Sequence, residues 1–269
     1  MRAYKYLFVH CTATVENIIV KPEDIERMHK GARNLSNFKV RFLGKDYNSR
    51  SELPDVKVGG VKAKESVGRG WSRLGYSKMF DQKGLVHTLT EHDEDNWIDS
   101  DEITWGASGF NSHSKHWVYC GGLSTETYIV NQKERHYFAN TMTQDQERSF
   151  LREIHAEIEK HPQIKVIGHN QTAVKGCPCF DTRLWLEVHG VPKENIDTRP
   201  MRVNTITPFR NKKQGNDFRK WVNEKHPEVA NRIDLDEIGS YKNAYILRAW
   251  YLLRHQYNEF KIDSILYHF

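Results

Sequence analysis

Cysteine is scarce in this chain of 269 residues: Cys11, Cys120, Cys177 and Cys179 are all it has. Four are too few to staple a fold of this size, so a disulfide scaffold is excluded, though there is room for one structural bridge. No Cys-x-x-Cys occurs, which removes the thioredoxin-type redox site and the four-cysteine zinc knuckle. No His-Glu-x-x-His occurs, so the general base of a helical zinc-protease motif is missing. No apolar run approaches a membrane span. The opening MRAYKYLFVHC has too short an apolar stretch for a signal peptide, so synthesis in a cytoplasm is expected. Apolar residues make up only 38% and mean hydropathy is -0.74, so part of the length is expected in polar loops. Internal repeats and low-complexity tracts are absent.

What is present is a basic balance, with a formal charge of +5 and an isoelectric point near 8.9. Such a charge suits an anionic partner: nucleic acid, a membrane surface or an acidic wall polymer. No zinc finger or other specific recognition motif accompanies it, so specific nucleic-acid binding is not expected. The length fits one large domain, or one domain with a small appendage.

YKYLFVH, residues 4–10, reads as a strand with Tyr6, Phe8 and His10 on one side and Leu7, Val9 and Cys11 on the other. Apolar residues on both sides suggest a central strand. His10 stands at its C-terminal end, where open α/β sheets place their sites; a satisfied core histidine is the plainer alternative. Residues 21–30 read as a helix, with Pro22, Glu23 and Asp24 in its first turn. Residues 31–68 are polar and charged, and are read as an insertion or long excursion with room for a short hairpin; a structureless loop of that length is unusual, so it is expected to pack somewhere or to have a role. DQKG, residues 81–84, is a turn between two strands, and the acidic stretch from Glu91 to Glu102 reads as a solvated loop. HWVYCGG is a buried strand ending at paired glycines. The helix from Thr143 to about His161 has a capping box, Thr143 with Gln146, and a stripe of Phe150, Leu151, Ile154 and Ile158. IKVIG, residues 164–168, is a short strand, and Asp181 caps a helix carrying Leu184, Trp185 and Val188. A linker is expected from about Val191 to Pro208, followed by a helical module of roughly 60 residues, about the smallest that folds alone.

The stretch IGHNQTAVKGCPCFD, residues 167–181, can be a reactive loop, a metal loop or a plain turn. If the strands 4–10 and 164–168 are neighbours, His10, His169 and Cys177 converge. Two neutral imidazoles and one thiolate make a good zinc set, and three protein ligands leave a fourth position for water. Lys175 could stabilise an oxyanion forming on a carbonyl. Cys179 is expected to point inward beside Phe180.

Three motifs carry a resemblance: FVHCTAT near the start, GYSKMF in the middle and HNQTAVKGCPCFD late. Together they resemble the zinc-dependent N-acetylmuramoyl-L-alanine amidases of type 2, a family that includes bacteriophage amidase lysozymes and peptidoglycan recognition proteins. The likeness covers roughly residues 4–189, interrupted by the insertion. It implies a mixed central β-sheet flanked by helices, with His10, His169 and Cys177 as Zn2+ ligands and Tyr76 and Lys175 as catalytic residues. The implied reaction is hydrolysis of the amide between muramic acid and L-alanine in bacterial peptidoglycan. By its chemistry, a Tyr76 placed near zinc and Lys175 could have a lowered pKa. Two positions depart from the family pattern. Gly106 stands near where many members have a histidine, with His113 close but out of register, and Ser77 follows the tyrosine.

The expected organisation is a catalytic α/β domain, residues 1–195 with the insertion at about 31–68, and a small C-terminal α-helical module, 196–269. That module resembles helical segments of tailed-phage proteins, and Arg210, Lys212, Lys213, Arg219 and Trp221 could contact a sugar polymer or simply edge a core. The expected role is a phage endolysin or virion-associated lysin, made in the host cytoplasm and acting on the wall, with room for a phage or host protein partner. Rival roles are a wall-binding protein that does not cleave, and a structural or regulatory virion protein that keeps zinc for folding.

Overall fold

A computed structural model of the protein describes residues 2–130, 132–202, 212–225 and 227. Its architecture is mixed α/β. The central sheet contains β1 (Tyr6–Cys11), β2 (Lys78–Phe80), β3 (Val86–Thr88), β4 (Ser114–Tyr119) and, labelled β7 in chain order, Lys165–Gly168. A hairpin, β5 (Gly122–Val130) and β6 (Lys133–Phe138), stands apart and pairs with Thr14–Val15. The sheet order is β3-β2-β4-β1-β7. β2, β4, β1 and β7 run parallel and β3 is antiparallel at one edge.

β1 lies between β4 and β7 because it is apolar on both faces: Leu7, Phe8 and Val9 are all fully buried. On the face of Leu7 and Val9 lies the main core. There α2 (Gln144–Lys160) contributes Phe150, Ile154 and Ile158, packed with Phe80, Trp117 and Tyr119. Each fully buried Phe or Ile of that stripe contributes about 1.5–3 kcal/mol. The expected cap is in place, with Thr143 Oγ1 accepting from Gln146 N and Gln146 Oε1 from Thr143 N. Leu151 is only partly buried at the margin of the stripe. A later helix, α4 (Thr182–Val188), is capped by Asp181 and buries Trp185 and Leu186, while Leu184 and Val188 stay partly exposed. Between β7 and α4 lies one helical turn, α3 (His169–Thr172).

The opposite face of the sheet is the one that matters for function. It carries Phe8, His10, His116 and Ile167, and is covered by α1 (Pro22–Lys30) through Ile25 and by the loop holding Ala107 and Phe110.

The insertion is a built substructure. Arg33–Asn34, Val40–Phe42 and Lys45–Tyr47 form a three-stranded antiparallel sheet, and Lys57–Val58 pairs with Val61–Lys62. Ala32, Val40, Phe42, Leu53, Val58 and Ala63 make a separate small core. Gly59 is needed where this unit meets α1, since a Cβ there would lie 2.1 Å from the Glu23 carbonyl oxygen. The excursion thus satisfies its own backbone instead of remaining a long irregular loop.

Two further expectations are corrected. The acidic stretch is organised from within: Glu102 is buried and accepts from the backbone N–H of Asp93 at 2.7 Å and of Asp99 at 2.8 Å. Residues 191–202, the described part of the expected linker, are packed on the domain, with Asn195 Nδ2 donating to the Pro162 and Ile164 carbonyls and Asp197 N to Val166 O. Beyond them, α5 (Lys212–Lys225) places Phe218 and Trp221 in the main core. Trp221 is therefore a core residue, not a wall-contacting one. Arg210, the side chains of Lys212, Lys213 and Arg219, and the second expected helix lie outside the described residues.

Replacing Glu102 by Ala strands two loop N–H groups and should destabilise the fold by about 1–3 kcal/mol, with Glu102→Gln costing less. Urea denaturation midpoints of the two variants check this ordering.

Candidate metal centre

His10 is the last residue but one of β1, and His169 follows directly on β7. The two strands are parallel with Gly168 opposite Val9, so one residue further His169 falls beside His10 on the same face of the sheet. Their rings are 4.7 Å apart and meet edge to face. Gly168 is required at this junction because a Cβ would lie 2.3 Å from Thr182 Oγ1.

The loop after α3 returns Cys177 to the same place. Asn170 Nδ2 donates to Phe180 O at 3.0 Å, tying the start of the loop to its end, and Tyr119 Oη donates to Pro178 O at 2.7 Å. Gly176 lets the backbone press on Phe138, whose ring would be 2.6 Å from an added Cβ. Gln171 accepts from Gly168 N and donates to the carbonyls of Asp197 and Arg199. These ties hold the loop's shape independently of any bound ion.

The ligand atoms of His10, His169 and Cys177 lie within 4.8 Å of one another, and among the described residues this is the one such group of three. His10 Nδ1 is 3.6 Å from Cys177 Sγ. Zinc–sulfur and zinc–nitrogen bonds of about 2.3 and 2.0–2.1 Å meeting tetrahedrally also separate N from S by about 3.6 Å. The Cys11 backbone N–H donates to Cys177 Sγ at 3.3 Å, an interaction that favours the thiolate. Two imidazoles and one thiol are the donor types zinc prefers, so the residues present fit that ion.

Burial sets the protonation states. It pushes His10 well below the ordinary histidine range, helped by His169 and His116, so its ring is neutral and ready to ligate. Burial pushes the Cys177 thiol well up, with neighbouring Cys11 adding to the effect. All four cysteines are free thiols, so the one bridge the sequence allowed is not formed. Cys179 does face inward, fully buried, with its Sγ 3.4 Å from that of Cys11.

A cleft of about 540 Å³ opens beside His169, lined by His29, Arg69, Trp71, Tyr76, Trp105 and Lys175 among others. Tyr76 stands over the centre, its ring 5.2 Å from that of His10. Burial, with Cys177 and Cys11 adding to it, pushes its phenol above the ordinary value in the metal-free protein; the lowering expected beside zinc is a property of the loaded site. Lys175 is exposed on the rim.

Several residues of this site escaped the sequence reading. His29 stacks on Trp71 at 5.1 Å and accepts from Gly75 N, and burial lowers its pKa to about 4. His116 lies against His10, with Nδ1 3.0 Å from His10 Nε2. Its presence explains Gly106, where an added Cβ would lie 2.4 Å from His116 Nδ1. His113 is turned to the Ala3 carbonyl, and Ser77 is buried with its hydroxyl donating to His116 O. One signal was available in the sequence: His116 has the strand parity of Ser114 and Val118, a buried face.

No protein-family profile and none of the curated proteins matches this sequence. Among solved structures, the chain is similar to the N-acetylmuramoyl-L-alanine amidase LysC from Clostridium intestinale, with 14% identity, TM-score 0.38, and 66% of this chain and 77% of that one covered. It is similar to the Ph2119 endolysin from a Thermus scotoductus bacteriophage, with 15% identity, TM-score 0.41 and coverages of 70% and 85%. It is also similar to Drosophila PGRP-LB, with 16% identity, TM-score 0.40 and coverages of 71% and 83%.

At neutral pH zinc must displace the Cys177 proton, whereas His10 has none to lose. Zinc affinity should therefore rise about tenfold per pH unit between about pH 7.5 and 8.5, with close to one proton released. Calorimetry in buffers of different ionisation enthalpy counts that proton.

Proposed function

We propose that this chain is a zinc-dependent amidase that hydrolyses the bond between N-acetylmuramic acid and L-alanine in bacterial peptidoglycan. The observation that carries the proposal is a set of three ligand atoms within 4.8 Å of one another beside an open cleft. A structural zinc site would be closed by a fourth protein ligand, and none completes the set among the described residues. The three sequence motifs support the substrate assignment.

Zinc held by His10, His169 and Cys177 would supply Lewis acidity, polarising a carbonyl and acidifying water. The chain's own groups do the rest. Lys175 brings a positive charge to the rim, suited to stabilising an oxyanion as the amide carbonyl becomes tetrahedral. Tyr76 keeps its proton, because burial holds its phenol above the ordinary value, so it is suited to donating a hydrogen bond or a proton to the departing amine. Trp71 and Trp105, with ring centroids 6.0 Å apart, give the cleft aromatic walls for sugar or peptide, and Arg69 stands 4.8 Å over Trp71. This wall, with the two cations, suits a glycopeptide that carries carboxylates.

The role proposed is that of a phage endolysin or virion-associated lysin, synthesised in a host cytoplasm and acting on the wall after release or delivery. The formal charge of +5 is compatible with that acidic polymer.

Zinc-loaded protein incubated with purified sacculi should release new alanine amines without new reducing ends, and a chelator should abolish the release. Sacculi that are bound but yield no amines would overturn the amidase reading in favour of a wall-binding protein. Tyr76→Phe should lower kcat by about 10²-fold or more while zinc content stays at the wild-type level. Kinetics and metal analysis on the same sample decide that role.

A further inference from the structure

We propose that His116 is a positioning residue for the metal centre: it accepts the Nε2–H of His10 and so holds His10 in the tautomer whose Nδ1 faces Cys177. The inference rests on the metal reading above and extends it to a residue outside the ligand set.

The contact is built by the sheet. In the parallel pairing of β1 with β4, Phe8 is opposite His116 and Val118 opposite His10. His116 and His10 are therefore diagonal neighbours on one face, and their ring nitrogens meet at 3.0 Å. Both residues are buried, with exposures of 0% and 1%, so no solvent competes for the bond.

The hydrogen bond has two polarities, and they are not equivalent. If His116 Nδ1 carries the proton, it donates to His10 Nε2; a neutral His10 then has its proton on Nδ1 and cannot ligate through it. If His10 Nε2 carries the proton, Nδ1 has a free lone pair 3.6 Å from Cys177 Sγ, and His116 Nδ1 accepts. Only the second polarity is compatible with zinc at Nδ1. Metal-bound histidines generally donate their other ring N–H to a fixed acceptor, which orients the ring. Here that acceptor is an imidazole.

The surroundings hold His116 in place. Its carbonyl receives Ser77 N at 2.7 Å and Ser77 Oγ at 3.2 Å, which anchors the backbone. Its ring packs on Phe8 with centroids 5.0 Å apart, and Gly106 leaves the space it fills. The remote nitrogen, Nε2, is buried with no hydrogen-bond partner among the described residues. An unsatisfied buried polar atom carries a cost that an apolar residue would avoid, and the contact with His10 gives the imidazole a reason to be there.

The test measures zinc affinity by chelator competition in the wild type, His116→Leu and His116→Asn. Circular dichroism of each apo-protein checks the fold. Leu fills space without accepting, whereas the Asn side-chain oxygen can accept in the position of Nδ1. His116→Leu should bind zinc about 10–100-fold more weakly, with His116→Asn recovering most of the loss. Long-range nitrogen–proton NMR of zinc-loaded wild type should show a protonated Nε2 on His10 and an unprotonated Nδ1 on His116. That measurement needs no variant, so it decides even if His116→Leu is unstable. Zinc binding unchanged in a folded His116→Leu, or a proton on His116 Nδ1 in the loaded protein, overturns the inference alone. Wild type that binds no zinc overturns the metal reading and the inference with it.

Discussion

The parallel register of β1 with its two neighbours is the constraint on which the rest depends. It sets Gly168 opposite Val9 and Phe8 opposite His116, which brings His10, His116 and His169 to one face at one end of the sheet. A slip of one residue would send His10 into the main core and bring Cys11 to the site. The register is secured because β1 is buried on both faces, so a slip would also displace Leu7, Phe8 and Val9 from fitted packing. The same packing that stabilises the fold thereby sets the distances between the ligands.

Burial then does electrostatic work. It holds three of the imidazoles around the site neutral: His10 lies well below the ordinary range, His29 at about 4 and His116 at about 3. A group of histidines that would repel as imidazolium ions becomes a set of lone pairs and N–H donors. The cations Arg69 and Lys175 stand at the exposed rim, where water pays for their charge. The result is a floor of metal-competent side chains below a positive mouth.

How much of this was legible varies with the range of the interaction. Strand β1, the capped α2 and the capped α4 could be read locally, because periodicity and caps act within a few residues. His10, His169 and Cys177 could be picked out by chemistry and motif, while their convergence rested on the strands being neighbours. The insertion was located, but its internal sheets were not read, because its small core joins Ala32 to Ala63 across turns with no strong period. Glu102 was read as solvated because an acidic run looks the same whether its carboxylates meet water or backbone N–H groups. The burial of Tyr76, which raises its pKa in the metal-free protein, was likewise not legible, because desolvation is set by the fold around the ring.

The sequence by itself determined the donor types, two imidazoles and a thiol, and the short-range elements that end in them, because residue chemistry and helix or strand period are local properties. Tertiary structure alone decided that the donors meet at metal spacing, that Gly106 is a consequence of His116, and that His116 touches His10 across 106 residues of chain. Those outcomes depend on which strands lie side by side and in what register. That choice is made by the packing of the whole core, and no single segment encodes it.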